Sequence, residues 1–355
     1  MLHVLTGGHC NNRCVFCMES DREGRKRHVL SQTSDDIQRF IQSYPQRDEI
    51  LFTSGEPTLN RELPRYVQWA KEAGYRTIAI ISNGRRLSQP KYAAAMVRLG
   101  VNKFTISVHG HQAQIHDALT SSKGAFRQTQ AALANIAALR RRGARLDLHT
   151  STVVVRANLP FLSEIHEMLR PYEPDRTCFN VMMVKGFGAE RFEELMPRYR
   201  DVAASAQRLL RGLDREALRR ITLQDIPRCA VVELPPEVLH SQESFEQFET
   251  QGSIGIADSD MERMGEERAG EALRALRERA SEVHLQGDGE YYVTGREIRD
   301  DVLRVKRPEC ERCALNQGCP GVWSGYVDVY GWDELQPING QAGEERPRRN
   351  TKSVP

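Results

Sequence analysis

Three cysteines, Cys10, Cys14 and Cys17, fall within eight residues of one another in the run HCNNRCVFC. Three thiolates on one short loop can hold three irons of a four-iron cluster, whereas a cluster that only carries electrons is normally closed by four. The fourth iron is then open to a ligand that is not protein, and the site becomes a place for chemistry. A zinc knuckle is the alternative use of the same sulfurs. It needs a fourth ligand nearby, and only His3 and His9 are close on this side. A disulfide framework is disfavoured, since three is odd and no secretory segment precedes the run.

Such a loop must be positioned by a scaffold. Six apolar, β-branched runs at 2–6, 50–53, 76–82, 103–108, 146–155 and 178–184 are the expected strands. They alternate with expected helices at 34–43, 62–73, 89–99, 125–142, 158–169 and 191–211. The helical period is clearest in 125–142, where Leu133, Ile136 and Leu139 recur at three-residue steps. Gly74, Gly100 and Gly143 fall just past helix ends, where C-caps belong. Repeated strand–helix–strand units mean parallel pairing. The expected fold is therefore α/β, a partial (β/α)6 TIM-like barrel with a smaller C-terminal domain. Reactive groups in such barrels gather at the carboxyl ends of strands. Four motifs sit there: Ser54-Gly55-Glu56-Pro57, Ser82-Asn83-Gly84, Ser107-Val108-His109-Gly110, and Met182-Met183 with Lys185. Met182 and Met183 are expected to pack the barrel, and Lys185 to meet an anionic substrate group. Thr150, Thr152 and the 156–158 segment at the fifth strand are weaker candidates.

The cysteine spacing, with Phe16 just before the last thiol, resembles the radical S-adenosylmethionine (radical SAM) family. In that family the open iron chelates the amino and carboxylate groups of SAM, and reduction cleaves a carbon–sulfur bond to give a 5′-deoxyadenosyl radical. The resemblance covers roughly the first 190 residues. Ser54-Gly55-Glu56-Pro57 is similar to the family's Gly-Gly-Glu-Pro motif, with Ser54 in place of the first glycine. The resemblance implies that Ser54, Gly55 and Glu56 bind the SAM amine, a charge-assisted contact. It also implies that Ser82, Asn83 and Ser107 contact SAM, and it turns His109 toward the substrate as the candidate catalytic group. The ordinary readings are a strand-to-loop turn at 54–57, an Asn-Gly turn at 83–84 and a hydrogen-bonded loop histidine at 109.

Cys310, Cys313 and Cys319 resemble the Cys-x2-Cys-x5-Cys block of SPASM or twitch extensions, which ligates an auxiliary four-iron cluster. A full SPASM domain places another cysteine four residues on, where this chain has Trp323. One auxiliary cluster is therefore expected rather than two. Cys229, on a proline-marked loop just past the barrel, is the expected fourth ligand, and Cys178 is expected to be a core cysteine. Zinc held by four cysteines is the alternative. The expected domains are 1–215 (barrel), 216–335 (auxiliary-cluster domain) and 336–355 (disordered tail), with a helix at 261–281.

Composition narrows the class. The chain has 50 basic against 48 acidic residues, a net charge of +2, which gives no field for nucleic acid. No stretch approaches the roughly 20 apolar residues of a membrane span. MLHVL is too short for a signal peptide, so a cytoplasmic, reducing compartment is expected. The chain starts almost at the first strand, so no amino-terminal peptide-recognition domain is expected, and a separate partner would supply that recognition. The implied protein is an oxidoreductase or maturase using SAM, a SAM-binding 4Fe-4S cluster and an auxiliary 4Fe-4S cluster. Its expected partners are a peptide or small-molecule substrate and a reductant such as flavodoxin or ferredoxin. A non-catalytic iron–sulfur or zinc protein is the alternative. The Ser54–Pro57 turn and the six βα units argue against it, because a carrier needs neither.

Overall fold

Seven parallel strands form the frame: β1 (Leu2–Leu5), β2 (Glu49–Thr53), β3 (Thr77–Ser82), β4 (Lys103–Ser107), β5 (Asp147–Val154), β6 (Arg176–Val181) and β7 (Ile221–Gln224). Each pairs in parallel with the next in sequence, giving the spatial order β7-β6-β5-β4-β3-β2-β1. This is an open half-barrel. The outer edge of β1 carries β8 (Glu246–Thr250) in parallel, followed by β10 (Glu290–Gly295) and β9 (Ser281–His284), both antiparallel additions. The computed structural model describes residues 1–18, 33–239, 246–250, 281–284, 290–295 and 303–338, with isolated positions between 265 and 274.

Strand alternation divides the sheet into two faces. Ile50, Phe52, Ile80, Phe104, Ile106, Leu148 and Val181 are buried and belong to one core with helix residues such as Ile41, Val67, Met96, Leu133 and Ile165. Those helix residues lie on α1 (Ser34–Ser43), α2 (Leu63–Glu72), α3 (Pro90–Leu99), α5 (Ala125–Arg141) and α6 (Leu162–Leu169), and α4 (Ala113–Thr120) precedes α5. Local chemistry sets the helix ends. Thr33 and Asp36 make a reciprocal capping box at the start of α1, and prolines occupy the first turns of α2 and α3. The opposite face, with Thr105, Ser107, Ser151, Cys178 and Asn180, is half-exposed and polar. It is the inner surface of the half-barrel.

Several expectations are corrected. The 191–211 helix is two pieces, α8 (Phe192–Leu195) and α9 (Tyr199–Leu210), after the short α7 (Gly186–Glu190). Pro197 separates them, because it offers no N–H and clashes with the preceding turn. The 158–169 helix opens as a tighter turn, Leu159–Phe161, around Pro160 before α6 begins. The 178–184 strand runs Arg176–Val181, and Met182 to Val184 turn away from the sheet. Neither α4 nor β7 was expected, and β7 carries the sheet past residue 215. Cys178 is half-exposed on the inner face, its thiol donating to Asn180 Oδ1 at 3.1 Å, and is not a core cysteine. The 261–281 helix falls largely outside the described residues, and so does the 336–355 tail apart from 336–338. No described helix is long and apolar enough to cross a membrane.

Candidate active site

The loop after β1 carries Cys10, Cys14 and Cys17, the first exposed and the others half-buried. Backbone hydrogen bonds fix it on both sides. The N–H groups of Arg13 and Val15 donate to the carbonyls of Thr120 and Leu119 at 2.9 and 3.0 Å, at the end of α4. The Phe187 N–H in α7 donates to the Cys17 carbonyl at 3.0 Å. Phe16 turns inward, 7% exposed, with its ring edge-on to His109 at 4.7 Å between centroids. Such aromatic pairs are worth about 0.5–1.5 kcal/mol beyond burial.

The turn after β2 packs directly beneath this loop. Gly55 has φ +57°, and a Cβ there would lie 2.5 Å from the carbonyl oxygens of both Gly7 and His9. Only glycine permits that approach. Glu56 N–H donates to the His9 carbonyl at 2.7 Å, and Ser54 Oγ to the Gly7 carbonyl at 3.0 Å. Ser54 holds φ +76°, a left-handed conformation that disfavours a side chain. The glycine it replaces in the motif would suit that backbone better.

The Glu56 side chain faces inward, only 3% exposed. Its Oε1 accepts from Ser82 Oγ at 2.7 Å, Thr58 Oγ1 at 2.6 Å and Thr58 N–H at 3.2 Å, and its Oε2 accepts from Asn83 N–H at 2.7 Å. Burial raises its pKa, and the four hydrogen bonds oppose that rise. The carboxylate therefore ties the β2 and β3 ends together. Asn83 continues the network toward the thiols, its Nδ2 lying 2.7 Å from Asn11 Oδ1 and 3.8 Å from Cys10 Sγ. Cys10 Sγ also receives the Asn12 N–H at 3.4 Å.

Arg85 was not anticipated. Its guanidinium donates to the Asn11 carbonyl, to Asn12 Oδ1 at 3.1 Å and to Gln128 Oε1 at 2.7 Å, bracing the cysteine loop from the β3 side. Its position beside Asn83-Gly84 was the available signal. Asn158, in the 156–158 segment named as a weaker candidate, is completely buried, with its amide donating to the carbonyls of His109 and Val153 at 3.0 and 2.8 Å.

Ser107 ends β4 on the inner face, in register with Ser151 and then Cys178. Thr150 and Thr152 are fully buried on the helix-facing side, away from that surface. His109 is 5% exposed. Its N–H donates to His116 Nδ1 at 3.1 Å, and its own Nδ1 accepts from Val153 N–H at 3.2 Å, so its proton resides on Nε2. Burial first, then His116, hold its pKa well below the usual imidazole range. Burial likewise lowers His116 to about 4, with Asp117 opposing, and its Nε2 has no hydrogen-bond partner. Both rings are thus neutral in the folded protein near pH 7.

A pH prediction follows from these depressed values. Below about 6.5 the unfolded chain takes up protons that the folded histidines refuse, so stability falls as pH drops from 6.5 toward 4. His116 alone is expected to cost roughly 2 kcal/mol by pH 5. Melting temperatures recorded from pH 7.5 to 5 should decline, and His116→Gln should flatten the decline. A flat profile for the parent protein would contradict the assignment.

The late cysteines form a second cluster of thiols. Cys229 lies on the turn Arg228–Ala230 after β7, Cys310 in the turn Pro308–Arg312, and Cys313 and Cys319 flank the turn Asn316–Gly318. All four are half-buried and line one pocket. Burial, then the neighbouring Cys319, Cys313 and Cys310, push the Cys229 thiol up to about 11. Gly321 N–H and Ile338 N–H donate to Cys319 Sγ and Cys313 Sγ, each at 3.4 Å. No three His, Cys, Asp or Glu side chains among the described residues converge tightly enough to grip a single ion.

Residues 4–158, from β1 through the β5 loop, match the radical SAM superfamily. That stretch resembles a radical SAM domain. The Fe-coproporphyrin III synthase of Methanosarcina barkeri is 26% identical over 190 residues, 52% of this chain and 44% of that protein. The AdoMet-dependent heme synthase of Nitratidesulfovibrio vulgaris is 27% identical over 162 residues, 45% and 41% of the two chains. The chain thus spans less than half the length of these curated relatives. The crystal structure of Streptococcus suis SuiB bound to precursor peptide SuiA superposes with a TM-score of 0.50 at 11% identity, over 65% of this chain and 50% of that one. That likeness concerns the fold.

Enzymes of the radical SAM superfamily use a 4Fe-4S cluster and SAM, and the donor set of the matching stretch fits them. Three thiols share one braced loop, and the Gly55 turn lies against that loop where a side chain would not fit. The fold brings Cys10, Cys14, Cys17, Phe16, Ser54, Gly55, Glu56, Ser82 and Asn83 together through the contacts above. Ser107 is placed by register alone.

Proposed function

We propose that this chain is a radical SAM enzyme that reductively cleaves S-adenosylmethionine and abstracts a hydrogen atom from a substrate. One observation carries the reading: the three-thiol loop and the Ser54–Pro57 turn are locked together by the Glu56 N–H to His9 carbonyl bond of 2.7 Å. When bound, a reduced four-iron cluster supplies the electron that splits SAM into methionine and the 5′-deoxyadenosyl radical. Cys10, Cys14 and Cys17 hold that cluster. The main chain of residues 54–56 meets the SAM amine, because the Glu56 carboxylate is engaged by four internal donors. Ser82, Asn83 and Ser107 border SAM. His109 supports Phe16 and the loop from behind; its single proton on Nε2 is the only one it can offer a substrate.

The half-barrel, 1–215, is followed by an auxiliary-cluster region, 216–335, in which Cys229, Cys310, Cys313 and Cys319 ligate a second 4Fe-4S cluster. The protein works in the cytoplasm with a flavodoxin- or ferredoxin-like reductant. The substrate is either a peptide undergoing maturation or a small molecule in natural-product or cofactor biosynthesis. The names of the synthase relatives support the second, and the peptide held by SuiB illustrates that such a frame admits the first. A short precursor peptide encoded beside this chain would favour the peptide.

Anaerobic reconstitution tests the reading. About eight irons per chain are expected from two clusters, with 5′-deoxyadenosine formed from SAM and dithionite. Cys313→Ala should lower iron to about four per chain and spare SAM cleavage. Protein that takes up zinc and no iron, and leaves SAM intact, would remove the proposal.

A further inference from the structure

The four late thiols come from two walls that are far apart in sequence. Cys229 belongs to the loop leaving β7, and Cys310, Cys313 and Cys319 belong to the segment between β11 (Arg304–Val305) and β12 (Val322–Trp323). β11 and β12 pair antiparallel, with Arg304 opposite Trp323, and so close the second wall into a hairpin. No strand pairing joins β7 to that hairpin.

A buried ion pair does join them. Arg304 Nη2 lies 3.5 Å from Asp225 Oδ1, with side chains 4% and 1% exposed. Asp225 follows β7 directly and holds a left-handed φ of +59°, at the point where the chain turns toward Cys229. On the other wall the Arg304 guanidinium stacks 4.2 Å from the centroid of Trp323, itself 1% exposed. Ser324 N–H donates to the Leu303 carbonyl at 2.9 Å, which fixes the base of the hairpin. Each charge therefore sits at the root of one cysteine-bearing wall. Burying such a pair adds little net stability over an apolar pair of the same shape, because desolvation offsets the attraction. Its direction-specific use is registration: it is satisfied in one relative placement of the two walls and costly in others.

We infer that the Asp225–Arg304 pair is the fastener that holds Cys229 against Cys310, Cys313 and Cys319, so that the late site is closed by four thiolates and offers no exchangeable position. Asp225 and Arg304 are positioning residues. The inference rests on the proposed auxiliary cluster. It adds that substrate does not bind to that cluster, and that closure depends on two residues that are not ligands.

The test uses the full chain carrying Cys10→Ala, Cys14→Ala and Cys17→Ala, so that only the late site can load and SAM chemistry plays no part. After anaerobic reconstitution, iron is counted and the electron paramagnetic resonance spectrum of the reduced protein is recorded with and without cyanide. The expected result is about four irons per chain and a spectrum that cyanide leaves unchanged. In this background Cys229→Ala opens one iron, and its spectrum should shift with cyanide. Arg304→Leu and the milder Asp225→Asn should reproduce that cyanide shift or lose iron, and Arg304→Lys should recover part of the closed behaviour. Should Arg304→Leu fail to fold, Asp225→Asn carries the test. Variants that melt earlier but keep four irons and a cyanide-insensitive spectrum would show a purely structural pair and overturn the fastener. A late site that loads zinc and no iron would instead overturn the auxiliary-cluster reading on which it rests.

Discussion

Cys14→Ala is expected to abolish 5′-deoxyadenosine formation and to lower reconstituted iron from about eight to about four per chain. The substitution leaves the main-chain anchors of the loop in place. Arg13 and Val15, on either side, are held by main-chain bonds to Thr120 and Leu119. The Cys14 carbonyl accepts the Cys17 N–H at 3.2 Å, which alanine leaves intact. Loss of one thiolate from a three-thiolate site leaves too few ligands to retain the cluster, so the loss of activity should be complete. Melting temperature of the metal-free protein should change little. SAM cleavage surviving in Cys14→Ala at the parent rate would contradict the assignment of this loop.

Gly55→Val should have the next largest effect, about a hundredfold slower SAM cleavage with the three thiols still present. A Cβ at Gly55 meets two carbonyl oxygens of the cysteine loop at 2.5 Å, and both belong to backbone that cannot rotate away. The backbone also holds φ +57°, which any side chain strains. Relief requires the Ser54–Pro57 turn to move off the loop and the Glu56 N–H to release the His9 carbonyl. Displacements of about 1 Å at a reacting centre typically cost two orders of magnitude. The measurements are the rate of 5′-deoxyadenosine formation and the affinity for SAM by equilibrium dialysis. Parent-like values for both would show that this turn does not border the cofactor.

The repeating units were legible because their signals are local. Apolar periodicity and glycines past helix ends place α1, α2, α3 and α5 within a residue of the structure. Strand β7 was not legible, being four residues long and entered from a short helix, α10 (Arg215–Arg219), with no glycine between them. The motifs at strand ends were visible as residue types. Their orientation was not, since the sense in which Glu56 points depends on Ser82 and Asn83 donating from the next strand. Cys178 was misjudged for a related reason. An apolar run says that a strand is buried, while the face toward the half-barrel interior is set by register with Ser151. Arg85 reaches the Asn11 carbonyl, and Asn158, named only as part of the 156–158 segment, those of His109 and Val153; no spacing rule reveals such partners.

The neighbour that β1 acquires on its outer side has a consequence for biosynthesis. Leu2 pairs with Glu246, so β1, once made, waits for a segment made 244 residues later. At about 5–20 residues per second that delay is roughly 12–50 seconds. Throughout it the nascent chain displays a bare hydrogen-bonding edge, a template for pairing between copies. Slow or stalled translation of the second half should therefore favour insoluble product, and chaperone supply during expression should matter more than the stability of the finished molecule.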